Sequence, residues 1–131
     1  MKVLLVLMSL VFSISSFAEI PWKSYSASSV KNAQGNLVVL GFHKRGCPAC
    51  RSMDAELDST GITNLQGVTF LKVDKSSQNS VFQQYGMNAQ TALVLLDKNG
   101  KEIKPARVRP FQASSSNIAN FASVTRKSLN R

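Results

Sequence analysis

Cysteine is almost absent from this chain: there are two in 131 residues, at positions 47 and 50. Two cysteines exclude a multi-bridge framework and leave no spare thiol once they pair. A bridge across two intervening residues closes too small a loop to stabilise the chain much, which argues against a purely structural role. Histidine is scarcer still, with His43 alone. His43 and the two cysteines together fall one ligand short of the usual tetrahedral zinc set. Acidic residues number only 7 against 16 Lys and Arg, a net charge of +9. Such a surface favours acidic partners or an anionic membrane face. The basic residues are scattered and no nucleic-acid-binding motif appears, which speaks against nucleic acid as the partner. There is no phosphate-binding glycine loop and no hydrolase triad, and no organic cofactor is implied. No apolar run reaches the roughly 18 residues that a membrane span requires.

The apolar run that does exist opens the chain. Met1-Lys2 is a short positive start, Val3–Phe12 is apolar apart from Ser9, and Ser16-Phe17-Ala18 supplies small residues. This pattern is read as a secretory signal cut near Ala18, leaving one domain over 19–131; an uncleaved anchor or a buried first helix is the lesser reading. Export delivers that domain to a periplasm or another secretory lumen, where disulfide chemistry takes place.

Within 19–131 the pattern alternates between strand and helix. Ser24–Ala33 reads as a short first helix ended by Gly35. Leu37–Phe42 is apolar without alternation, as in a central strand covered on both faces. From Pro48 the spacing of Ala49, Met53 and Leu57 predicts a helix with that stripe buried. Val68–Val73 reads as a second strand. Ser76 or Ser77 caps a helix through Tyr85, with Val81, Phe82 and Tyr85 inward and Gly86 as its stop. Ala92–Leu96 reads as a third strand, and Asp97-Lys98-Asn99-Gly100 as a hairpin turn into an edge strand near Lys101–Lys104. Ser114–Ser116 offers caps for a last helix burying Ile118, Phe121, Ala122 and Thr125. The order is βαβαββα after a leading helix, an α/β sandwich on a mixed sheet.

Cys47-Pro48-Ala49-Cys50 lies where the first long strand gives way to a helix. If Cys47 caps that helix, the free N–H groups of the first turn and the helix dipole favour thiolate over thiol. Pro48 suits the first helical position, where a missing N–H costs nothing. Lys44, Arg45 and Arg51 add positive charge nearby. Cys47 is therefore the candidate nucleophile, and Cys50, one turn in, the resolving thiol. A stabilised thiolate also makes the disulfide more oxidising.

At these residues the chain resembles the thioredoxin superfamily, particularly its small exported members. Phe42 to Met53 is similar to the family's active-site stretch, Phe70-Leu71-Lys72-Val73-Asp74 to its next strand, and Tyr85-Gly86-Met87 with Leu93–Gly100 to its third strand and hairpin. The resemblance implies a thioredoxin fold, a central mixed sheet of about four strands flanked by helices. It also implies thiol–disulfide exchange, with Pro48 and Ala49 setting the redox poise and Gln90-Thr91 forming the substrate loop. The partners implied are cysteine-containing exported proteins and a redox protein that resets the site. Three positions depart from the family. Thr91 stands where a cis-proline is usual, and a cis bond before a non-proline residue costs roughly 3–4 kcal/mol, so Gln90–Thr91 is expected to be trans. Thr91 is then free to point its hydroxyl at Cys47. Gly41 replaces a buried Asp that serves as proton acceptor, and Gly46 replaces a Trp.

Other readings stay open beside this one. His43 can modulate the thiolate or bind metal, but strand alternation after an inward Phe42 turns it to solvent. Asp54 and Asp58, one and two turns beyond Cys50, can serve as the missing proton acceptor, but acids beside an apolar stripe more often form a solvated face. Trp22 and Tyr25 are expected to pack the core. A dimer sharing two Cys-x-x-Cys pairs has enough sulfur ligands for zinc or an iron–sulfur cluster. A redox-silent binding module on the same scaffold is the third class.

Overall fold

Seven consecutive buried residues, Leu37–His43, form strand β2, the centre of the sheet in the computed structural model. The structure describes residues 19–131, and the expected signal segment, Met1–Ala18, lies outside the described residues. A strand this apolar needs cover on both faces, and the chain supplies it with helices on either side. Strand β1 is Lys23–Ser24, β3 is Val68–Asp74 and β4 is Ala92–Leu96. The sheet order is β1-β3-β2-β4. β2 pairs in parallel with β3, from Leu37↔Val68 to His43↔Asp74, and antiparallel with β4, from Val38↔Leu96 to Phe42↔Ala92. Helices α1 (Ala27–Asn32), α2 (Pro48–Ser59), α3 (Asn79–Gln84) and α4 (Ser115–Leu129) complete the α/β architecture.

Alternation along β2 sends side chains into two cores. Leu37 and Val39 pack with Met53 and Leu57 of α2 and Ile118 and Phe121 of α4. Val38, Leu40 and Phe42 pack with Val73, Phe82 and Met87 on the other face. Phe42 meets Phe82 edge-on at 5.0 Å between ring centres.

The expected fold class holds, while several boundaries move. The fourth strand is not Lys101–Lys104. That segment makes an isolated bridge, Leu96↔Glu102, before a 3-10 turn at Lys104–Ala106. Pro105 has no N–H to extend a ladder, and Arg107 closes over the turn with two hydrogen bonds to Glu102, 2.6 and 2.7 Å. That pairing raises Arg107 above its ordinary value. The fourth strand is Lys23–Ser24, which takes Ser24 from the start of the expected first helix and pairs in parallel with Leu71–Lys72. Helix α1 starts after Ser26, which accepts from the Ser29 N–H in a capping box. Helix α3 starts after Gln78 rather than Ser76 or Ser77. Asp74 explains the delay, because its carboxylate accepts from the Ser76 N–H and holds that segment in a turn. In α4 the expected face of Ile118, Phe121, Ala122 and Thr125 is buried.

Candidate active site

The parallel strands β2 and β3 end together at His43 and Asp74, and α2 begins five residues after His43 over that end of the sheet. Cys47 is the N-cap of α2 in extended backbone, φ −94° and ψ 106°, and Pro48 takes the first turn. Its sulfur accepts from the Cys50 N–H at 3.1 Å, so one of the unpaired donors of the first turn already points at it. Cys47 and Cys50 are disulfide-bonded, with Cα atoms 5.3 Å apart. Cys50 is only 3% exposed, whereas Cys47 is half-buried and open to solvent. This asymmetry fits the attacking and resolving roles expected of them.

Ala49 is exposed, so it does not belong to the buried stripe of α2; Cys50 takes that place with Met53 and Leu57. The first turn overhangs the end of the sheet, and Ala49 lines a groove instead. That groove, about 710 Å³, runs past Cys47, Met53, Gln90 and Thr91 to Phe111. Phe111 is 91% exposed at its rim. Lys44, Arg45 and Arg51 are all exposed and line a second cleft of about 260 Å³ on the other side of the cysteines, together with His43, Cys50 and Asp54.

Thr91 lies against both sulfurs. Its hydroxyl oxygen is 3.2 Å from Cys50 Sγ and 3.5 Å from Cys47 Sγ. Disulfide sulfurs carry no proton, so the hydroxyl is the donor. There is no cis peptide bond among the described residues, which makes Gln90–Thr91 trans as expected. Thr91 takes the left-handed region, φ 69°, and its N–H donates to Phe42 O at 2.7 Å. In the reduced state the same hydroxyl is placed to stabilise a Cys47 thiolate. Thr91→Val, which keeps the shape and removes the donor, is expected to lower the reduction potential by about 30 mV, equivalent to one charge-assisted hydrogen bond of about 1.4 kcal/mol. Equilibration against thiol buffers reads this directly, and an unchanged potential would deny the hydroxyl that role.

His43 does not turn to solvent. It is 5% exposed, and its Nε2 lies 2.8 Å from Asp54 Oδ1. The expectation failed because both faces of this sheet are covered, so the side chain opposite Phe42 meets α2 rather than water. Asp54 is likewise not a solvated acid: its other oxygen accepts from Trp22 Nε1 at 3.2 Å. Asp58 lies apart from the cysteines and accepts from the Thr63 hydroxyl at 3.2 Å. Trp22 packs against the core, edge-on to His43 at 4.9 Å and to Phe70 at 5.9 Å. The trio Trp22, His43 and Asp54 was missed as a unit. The available signal was Gly41, a residue without a side chain in an otherwise apolar buried strand, which leaves room for something else.

A comparison with family models matches residues 21–120 to "Thioredoxin". The chain belongs to the thioredoxin family. A thioredoxin-like protein from Edwardsiella tarda EIB202 is 24% identical, with a TM-score of 0.63 over 77% of this chain and 97% of its own. Fasciola hepatica thioredoxin is 21% identical, with a TM-score of 0.60 over 77% and 88%. Malassezia sympodialis thioredoxin is 25% identical, with a TM-score of 0.60 over 79% and 90%. A comparison with curated proteins returns no match. The Cys47–Cys50 pair on a thioredoxin domain makes this protein a thiol–disulfide oxidoreductase.

The family frame explains two of the three departures physically. Gly46 has φ 74°, a backbone that favours glycine, so a Trp there would be strained. At Gly41 a Cβ would run into Trp22 Cη2 and lie 2.6 Å from His43 Cε1. In this thioredoxin, Trp22 and the imidazole occupy the space into which an acid at position 41 would grow.

Proposed function

We propose that this protein is an exported thiol–disulfide oxidoreductase that exchanges its Cys47–Cys50 pair with cysteines of other exported proteins. A redox partner resets it, and acidic surfaces dock best. The observation that carries the exchange reading is Cys47 itself: a half-buried sulfur at the N-cap of α2, facing a groove, with the Cys50 N–H and the Thr91 hydroxyl directed at it. Export rests on the Met1–Ala18 pattern, and preference for acidic partners on the net charge of +8 that remains when Lys2 is removed from a chain of +9.

The test is the reduction potential of the couple, measured in glutathione and dithiothreitol buffers. A value near about −270 mV makes the protein a reductant or electron relay, and one near about −120 mV a disulfide donor. Failure to equilibrate in either buffer would overturn the exchange reading. Fractionation of cells expressing the full chain, with the N-terminus of the product sequenced, tests export. The expected product starts at Glu19 outside the cytoplasm, and an intact Met1 in the cytoplasm would refute it.

A further inference from the structure

We propose that His43, held by Asp54, is the proton acceptor for Cys50, replacing the acid that Gly41 omits. The inference rests on the exchange reading above and adds to it the residue that moves the proton.

A carboxylate only accepts hydrogen bonds, so the imidazole nitrogen facing Asp54, Nε2, must carry the hydrogen. In neutral imidazole that leaves the lone pair on Nδ1. His43 Nδ1 is buried and has no hydrogen-bond partner among the described residues. A buried nitrogen without a partner is costly, and in a native structure it needs a reason. Trp22 braces the arrangement from the other side, donating to the second Asp54 oxygen and packing edge-on against the imidazole.

Position comes next. His43 and Gly41 alternate onto the same face of β2, the face on which α2 packs. His43 Cε1 sits where a side chain at position 41 would begin. The imidazole and Cys50 both line the cleft of about 260 Å³, while Nδ1 itself is shut off from solvent. The charged groups around this cleft are Asp54 and Arg51 from α2, Lys72 and Asp74 from β3, and Lys44 and Arg45 from the intervening loop. Among them Asp54 is the one bonded to the ring.

With a substrate sulfur bound to Cys47, the Cys50 S–H bond breaks and its proton passes to His43 Nδ1. The electron pair left on Cys50 Sγ forms the bond to Cys47 Sγ. The bond from Cys47 to the substrate breaks, and the substrate leaves as a thiolate. In the opposite direction the imidazolium returns the proton to Cys50.

Dithiobis(nitrobenzoate) added to the reduced protein separates the two steps. The first release of nitrothiobenzoate reports attack by Cys47, and the second reports resolution by Cys50. His43→Gln is expected to slow the second phase at neutral pH by about 100-fold, within the range for general acid–base groups, and to leave the first within about twofold. The pH profile of its second phase is also expected to differ from that of the wild type. Asp54→Asn keeps the shape and the Trp22 contact while removing the charge, and is expected to slow the second phase about tenfold. A second phase of wild-type rate and pH profile in a folded His43→Gln protein overturns the assignment. If His43→Gln does not fold, an unchanged second phase in Asp54→Asn overturns it instead. A wild-type protein with no first phase overturns the exchange reading itself, and this inference with it.

Discussion

Replacing Cys47 with serine is expected to reduce disulfide exchange below detection while leaving the fold intact. Serine is a good N-cap, so its hydroxyl can accept from the Cys50 N–H as the sulfur does, and α2 keeps its start. A hydroxyl does not ionise at working pH, however, and cannot form or carry a mixed disulfide. Stability is expected to change little, since the lost bridge closes a loop of only two intervening residues. Cys50→Ser is expected to behave differently. Cys47 remains able to attack, resolution fails, and mixed disulfides with partner proteins accumulate and survive non-reducing electrophoresis. Turnover retained in the Cys47 variant would refute the assignment of the nucleophile. The same pair of variants identifies physiological partners, because whatever is trapped on Cys47 is a substrate or a resetting protein.

Gly41→Asp, which places the family's acid in this chain, is expected to destabilise the protein by about 3 kcal/mol rather than improve it. Overpacking a filled site typically costs about 1–3 kcal/mol, and burying an additional carboxylate without a partner adds to that. The geometry leaves little room for relief. The added Cβ meets Trp22 Cη2 and His43 Cε1, and both rings are anchored to Asp54. Gly41→Ala introduces the same Cβ without the charge and is expected to cost about 1–2 kcal/mol. Truncating Trp22 to alanine opens the space, so the Gly41→Asp/Trp22→Ala double variant is expected to lose less than the sum of the two single losses. Denaturant midpoints at constant slope measure all four proteins. A Gly41→Asp protein as stable as the parent would show that this pocket is not filled as described.

Much of this molecule was legible from local pattern. The βαβ order, the N-cap position of Cys47 and the trans bond before Thr91 follow from residues close to one another in the chain, and the thioredoxin fold is what the resemblance around Cys47 implies. Apolar runs, capping residues and backbone preferences act over a few residues and leave a trace at that range. The buried face of α4 was legible for the same reason.

What the tertiary structure decided concerns groups far apart in the chain. The edge strand came from Lys23–Ser24 because pairing with β3 is a long-range choice, while Pro105 and the Arg107–Glu102 pair turned Lys101–Lys104 away from a ladder. Strand alternation turns His43 away from Phe42, but it says only which side of a strand a residue faces, not what covers that side. The sequence by itself determined that the protein has a dithiol at a helix start and no family acid behind it. Only the packing of α2 and Trp22 onto β2 decided that an imidazole–carboxylate pair lines the cleft beside Cys50. The physical reason is that residues 22, 43 and 54 lie on three separate segments, and their hydrogen bonds and ring contacts exist only once those segments have packed together.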